Sequence, residues 1–291
     1  MAHLFARLVA AQDRWARPFG DFNHRWLTAL FRPIRPLKDF LNGTWLGHPL
    51  HAVLTDAPIG IFTAVIVLDV LDLRIAADVT LVLGVLSMAA AALAGLADYS
   101  DTDGTPRTRA TLHGTLMVVG LLVYLASLAV RASGPIDRVV PIALSIVGFV
   151  IVSAGAYVGG DVAYVLGNMI NRHAWRGAGT KWLPIELPAG SDLAGDLMKL
   201  PESTPTKARL GINNLVLIRQ GEAILALHEQ CAHAGGPLSE GSIVDGCIEC
   251  PWHGSRYGLG DGQLRRGPSV YDQPTYEVRR SADGWEARRS S

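Results

Sequence analysis

The chain predicts a two-part fold: a helical membrane bundle of four spans followed by a small all-β domain. Three observations carry this. Four long apolar stretches lie between residues 49 and 160. Short β-type runs punctuated by glycine follow residue 205. All three cysteines fall between 231 and 250, two of them beside histidines. At 291 residues there is room for two domains. Mean hydropathy is +0.24, apolar for a soluble protein, and the excess sits in the first half. The 26 basic and 26 acidic residues cancel, so no global field favours nucleic acid as a partner.

Residues 1–47 are basic and aromatic. Leu4, Leu8 and Trp15 can share a helical face, and Trp15, Trp26 and Trp45 suit an interfacial helix. An ordinary amphipathic helix packed on the protein reads equally well. The opening lacks the pattern of a secretory signal peptide.

The four-helix domain is expected over 48–165, with spans Pro49–Leu71, Val79–Ala97, Thr111–Val130 and Val139–Gly160. Each approaches the ~20 residues that cross a ~30 Å hydrocarbon layer. Their short connections imply antiparallel neighbours. Small residues crowd the second and fourth spans (SMAAAALAGLA, SAGAYVGG), which permits close helix approach. No internal repeat at a solenoid period is evident. Lys and Arg gather on the side holding residues 1–47, Arg107, Arg109, Arg172, Arg176 and Lys181; the other side has Arg74, Arg131 and Arg138. The expectation is a multi-pass protein of a bacterial inner membrane with both termini cytoplasmic.

A junction is expected over 166–186, punctuated by Gly177, Gly179 and Pro184, with Trp175 and Trp182 at the interface. The β domain is expected over 187–289, with strands at 214–219, 223–228, 275–280 and 285–289 and turns at Asp261-Gly262 and Asp283-Gly284.

Cys231-Ala-His233 and Cys250-Pro-Trp-His253 carry the chemistry. Two thiolates on one iron and two imidazoles on the other would hold a [2Fe-2S] cluster asymmetrically. Gly235, Gly236, Pro237, Gly254 and Gly258 permit the tight loops this needs. As bare ligands, Cys231, His233, Cys247 and Cys250 would serve a Cys3His zinc site equally well. The strings CAHAGGPL and CPWHGSRY, with the later Gly267-Pro268, resemble the Rieske ferredoxin-like family. That resemblance implies cluster ligands Cys231, His233, Cys250 and His253, a Gly-Pro segment covering the cluster, and Cys247 as a bystander. Respiratory members carry a loop disulfide, for which the matching positions here are Gly236 and Trp252. Ser255 and Tyr257 sit where those members place hydroxyls that donate to cluster sulfur and raise the potential. Rieske oxygenases continue into a large domain with a mononuclear iron; residues 254–291 hold no histidine, so that catalytic domain is not in this chain.

His48, His51, His113 and His173 map to one face of the predicted bundle. They are candidates for a haem b, with His51 and His113 as axial pair, for another metal, or for capping helix ends. The stretch HPLHAVLTDAPIGIF…GLADYSD…LHG, over about residues 40–165, resembles a bacterial four-helix membrane family of unknown function and supplies no chemistry. The function expected is that of a membrane-bound Rieske electron-transfer protein or oxidoreductase component, with an unidentified donor and acceptor. The alternative is a membrane-anchored binding or redox-sensing module with a structural metal and no turnover.

Overall fold

The computed structural model describes residues 7–134, 137–174, 181–188, 195–282 and 284–290. Leu4, Trp175, Arg176, Gly177, Gly179 and Asp283 lie outside the described residues. The chain forms two compact units, one of residues 1–43 and 49–168, the other of 44–48 and 169–291.

The first unit is helical: α1 (Asp13–Phe31), α2 (Arg35–Asn42), α3 (Leu50–Val70), α4 (Arg74–Tyr99), α5 (Gly104–Ala132) and α6 (Val139–Gly160). Helices α3 to α6 are long and apolar enough to cross a membrane. Two of them start earlier than the hydropathy predicts. In α5 the added turns are polar but satisfied: Thr111 Oγ1 donates to Arg107 O (2.8 Å), and Arg107 and Arg109 pair with Asp21 and Asp13 of α1. In α4, Asp78 bonds Arg131 and Arg138, which draws the first turn into the bundle. Helix α1 buries Ala16, Gly20, Leu27 and Phe31. A Cβ at Gly20 would lie 2.4 Å from Thr111 Oγ1, so the glycine is what lets α1 approach α5. Leu8, Trp15, Trp26 and Trp45 stay exposed.

Arg131 is 5% exposed and bonds both carboxylate oxygens of Asp69 (2.9 and 2.5 Å). Arg131 and Arg138, expected as connection charges near the membrane surface, are therefore held in an ion network with Asp69 and Asp78.

The second unit has two antiparallel sheets. The larger has the order β1-β10-β9-β4-β3-β2, where β1 is Leu183–Pro184, β2 Thr206–Leu210, β3 Asn213–Gln220, β4 Ala223–His228, β9 Thr275–Ser281 and β10 Gly284–Arg289. The smaller runs β5 (Ser242–Val244), β6 (Cys247–Glu249), β7 (Arg256–Gly258) and β8 (Leu264–Arg266) in order. Strand β3 is apolar without alternation because both its faces are buried. Leu215 and Leu217 enter one core with Tyr276 and Ala287; Val216 and Ile218 enter another with Cys231, Cys250 and Tyr257. Trp182 lies under the guanidiniums of Arg279 (4.0 Å) and Arg288 (4.8 Å).

Candidate functional site

Two loops of matching construction present the cysteines and histidines. The first is closed by the antiparallel bridge Gln230–Pro237, the second by the β6–β7 pair Glu249–Arg256. A cysteine follows the closing residue in each. Cys231 N donates to Gly236 O and Cys250 N to Ser255 O, both at 2.9 Å. Gly235 N returns to Cys231 O (2.9 Å) and Gly254 N to Cys250 O (3.0 Å). Gly235 and Gly254 sit at φ +85° and +78°, a region that favours glycine.

Both cysteines are buried, and their thiols hydrogen-bond one another. The hydrogen bond from Cys231 brings the Cys250 thiol down to about 7, and burial pushes Cys231 well up. The pair thus yields one proton easily and the second against a neighbouring charge. The imidazoles of His233 and His253 face each other with ring centres 4.9 Å apart at 86°. His233 is buried and His253 half-buried. Arg172 Nε donates to His233 O at 3.3 Å.

The donor set fits a [2Fe-2S] cluster. Sulfurs pair with sulfurs and imidazoles with imidazoles, so each iron would take two protein ligands. Among the described residues no three His, Cys, Asp or Glu side chains converge on a single ion, as the Cys3His zinc arrangement would require. Cys247 lies outside the core that holds the other two cysteines, its Sγ donating to Asp245 O at 3.7 Å. Gly236 leaves space beside the sulfurs: a Cβ there would be 2.9 Å from Cys250 Sγ and 3.0 Å from the Trp252 ring. Gly236 and Trp252 are thus in contact, the indole packing where the respiratory type would have its disulfide.

Tyr257 Oη lies 3.1 Å from Cys231 Sγ, fully buried. Burial, then the nearby thiol charge, pushes its phenol well up, so it stays a donor. Ser255 Oγ is also fully buried and accepts from Ser269 N (3.0 Å), just beyond Gly267-Pro268. That leaves its own hydrogen to donate.

Sequence reasoning missed the supports. Gln273 Nε2 donates to His228 O (2.6 Å) and Gln230 O (2.8 Å), and its Oε1 accepts from Ala232 N (2.9 Å). Glu229 accepts from Ser239 N (3.0 Å) and Oγ (2.5 Å). Arg266 donates twice to Gly254 O (3.0 and 2.7 Å). Nothing local marks these residues, because their partners are backbone groups far along the chain.

The histidines assigned to the bundle divide. His51 and His113 meet, with ring centres 6.1 Å apart. His48 is exposed and belongs to the second unit. His173 also belongs there: it packs on His228 (4.5 Å), and its Nε2 bonds Gln230 O (2.9 Å). Of these four, His51 and His113 are the two whose rings the structure brings together.

Residues 193–277 match the Rieske [2Fe-2S] domain family, and residues 47–172 match the family described as Predicted membrane protein (DUF2231). The ferredoxin subunit of anthranilate 1,2-dioxygenase from Burkholderia cepacia is 29% identical over 85 residues, 29% of this chain and 79% of that protein. Ferredoxin CarAc of Metapseudomonas resinovorans is 31% identical over 70 residues, 24% of this chain and 65% of that one. The solved ferredoxin of carbazole 1,9a-dioxygenase from Nocardioides aromaticivorans covers 33% of this chain and 91% of its own, at 25% identity and a TM-score of 0.30. The chain therefore carries a C-terminal Rieske domain, which indicates a [2Fe-2S] cluster, and an N-terminal DUF2231 membrane domain of four apolar helices.

Proposed function

We propose that this protein is a membrane-anchored one-electron carrier in which Cys231 and Cys250 bind one iron of the cluster and His233 and His253 the other. The observation that carries the reading is the pair of matching loops, which set two sulfurs together and two imidazoles together around the space beside Gly236. When bound, the cluster supplies a reversible one-electron couple. The chain's own residues set its conditions. Tyr257 and Ser255 donate toward sulfur, the buried core keeps water from it, and half-buried His253 beside exposed Trp252 is the edge where electrons pass.

Two of the similar proteins are ferredoxins, one the ferredoxin subunit of a dioxygenase by name. An oxygenase on a separate chain is accordingly the class of acceptor we infer. The four helices hold the carrier at the bacterial inner membrane with both termini cytoplasmic, where the bundle's own haem or metal would be its second redox partner. A C-terminal fluorescent-protein fusion that stays dark when a phosphatase fusion is active would reverse that orientation.

Iron, acid-labile sulfide and EPR of the dithionite-reduced protein test the cluster. The expected result is a Rieske spectrum that Cys231→Ser abolishes and Cys247→Ser leaves intact. Zinc in place of iron, or loss of the signal in Cys247→Ser, would overturn the ligand assignment.

A further inference from the structure

The buried residues of the membrane bundle repeat at fixed spacings. The four buried residues of α3, Pro58, Phe62, Val65 and Asp69, recur on α5 as Gly120, Tyr124, Ser127 and Arg131. Each is displaced by the same 62 positions that separate Asp69 from Arg131. All six buried residues of α6 correspond, at one constant offset, to buried residues of α4, from Ala77/Pro141 through Gly84/Gly148 to Ala94/Val158. Hairpins α3–α4 and α5–α6 thus bury matched sets of positions, as two halves related by a pseudo-two-fold axis would.

Three matched pairs meet across that axis. Asp69 and Arg131 form an ion pair, and Phe62 and Tyr124 stack with centroids 3.8 Å apart at 13°. The third pair is His51 and His113. Both imidazoles are held alike. His51 Nδ1 lies 2.8 Å from Ala91 O and His113 Nδ1 2.8 Å from Gly155 O, at matched positions. Each ring packs on a glycine, Gly95 or Gly159, where a Cβ would come within 2.9 Å. A carbonyl only accepts, so Nδ1 carries the proton and Nε2 the lone pair. This is how a ligating histidine is prepared. Asp69 and Arg131 satisfy each other, and Phe62 and Tyr124 stack; two imidazole lone pairs cannot bond one another.

We propose that His51 and His113 are the axial ligands of a b-type haem inside the bundle. Two imidazoles on opposite sides of one iron have ring centres about 6 Å apart, and the pair stands at 6.1 Å. Their 75° interplanar angle is open to such a pair, since both planes can contain the shared N–Fe–N line. Among the described residues no third His, Cys, Asp or Glu joins them. A bare ion would have two protein ligands; a porphyrin brings its own four nitrogens and asks for two more. About 16 Å of helix separates the histidine layer from the Phe62–Tyr124 layer; on α4 and α6 the buried residues between are Met88, Ala91, Ala94, Val152, Gly155 and Val158, so a porphyrin would have to displace the Met88 and Val152 side chains. The site deepens the carrier reading and rests on it only for its electron partner.

The test uses the full chain, expressed with added δ-aminolevulinate and purified in detergent. A low-spin b-type spectrum and about one haem per chain by pyridine haemochrome are expected. His51→Ala and His113→Ala should each lose the low-spin bands, while His113→Met keeps haem with a shifted band and midpoint. The cluster EPR signal should persist in all three. Wild-type protein that shows the cluster signal but no haem would overturn the proposal. So would low-spin bands unchanged in both alanine variants, or a stoichiometric non-haem metal lost with them. Haem present without a cluster signal would support this site and remove the Rieske ligand assignment instead.

Discussion

Two small groups, a hydroxyl and a hydrogen atom, decide most at the site. If Cys231 ligates the cluster as proposed, the negative charge on its sulfur grows on reduction, and the bond from Tyr257 Oη, 3.1 Å away, is stronger in the reduced state. Tyr257→Phe should lower the midpoint by on the order of 60 mV, the equivalent of one charge-assisted hydrogen bond. Protein-film voltammetry measures this, and an unchanged midpoint would mean that the hydroxyl only packs. Ser255→Ala should act in the same direction. Gly236 matters for what it lacks. Gly236→Ala would press a methyl toward Cys250 Sγ and Trp252, so iron content should fall while the far-UV spectrum is kept. The two Cys-His loops were legible in the sequence because residue type and spacing are distinctive there. The Gly236–Trp252 contact was legible only as two departures from the respiratory pattern.

Elements were legible in proportion to their periodicity. Strands β3, β4, β9 and β10 were expected almost at their observed limits: β3 and β4 are apolar runs, and β9 and β10 flank the Asp283-Gly284 turn signal. The three-residue strands β5 to β8 offer no alternation to read, yet they carry the second loop. What fixes the first loop is a single buried glutamine from outside it. Gln273→Ala removes three hydrogen bonds; His228 O and Ala232 N lose this partner, while Gln230 O keeps His173 Nε2. A loss of roughly 2–4 kcal/mol is expected, read as a lower urea midpoint of the cluster-bleaching transition. At the second loop burial works to raise the Glu249 carboxyl, but Arg256 and Arg266 hold it below the usual range. A depressed carboxylate contributes stability above its unfolded value and loses it as pH falls through the folded one. In Glu249→Gln, bleaching midpoints should therefore be lower than wild type at neutral pH and converge with it in acid below about pH 4.

In the whole molecule the hydropathy gave four spans, while the repeat of their buried positions stayed hidden. Only the inward residues of each hairpin are held to the pattern, and even these differ in type, as with Phe62 and Tyr124 or Leu81 and Ser145. Lipid-facing positions are free to drift, so the two halves share little sequence. The buried ions at the end of the bundle show how strongly the inward set is held. Replacing Arg131 by Met leaves buried Asp69 with only Arg138, 3.7 Å away, which should cost about 3–5 kcal/mol; Asp69→Asn/Arg131→Met together should recover part of it in detergent thermal melts. Each hairpin crosses twice and returns, so both halves point the same way and their axis runs along the membrane normal. The opposite charges at the two equivalent positions then act as a pairing code. Two α3–α4 halves would bury carboxylate against carboxylate, and two α5–α6 halves guanidinium against guanidinium. Each half accepts the other and rejects its own kind, so these charges disfavour pairing of like halves from neighbouring copies of the chain in the bilayer.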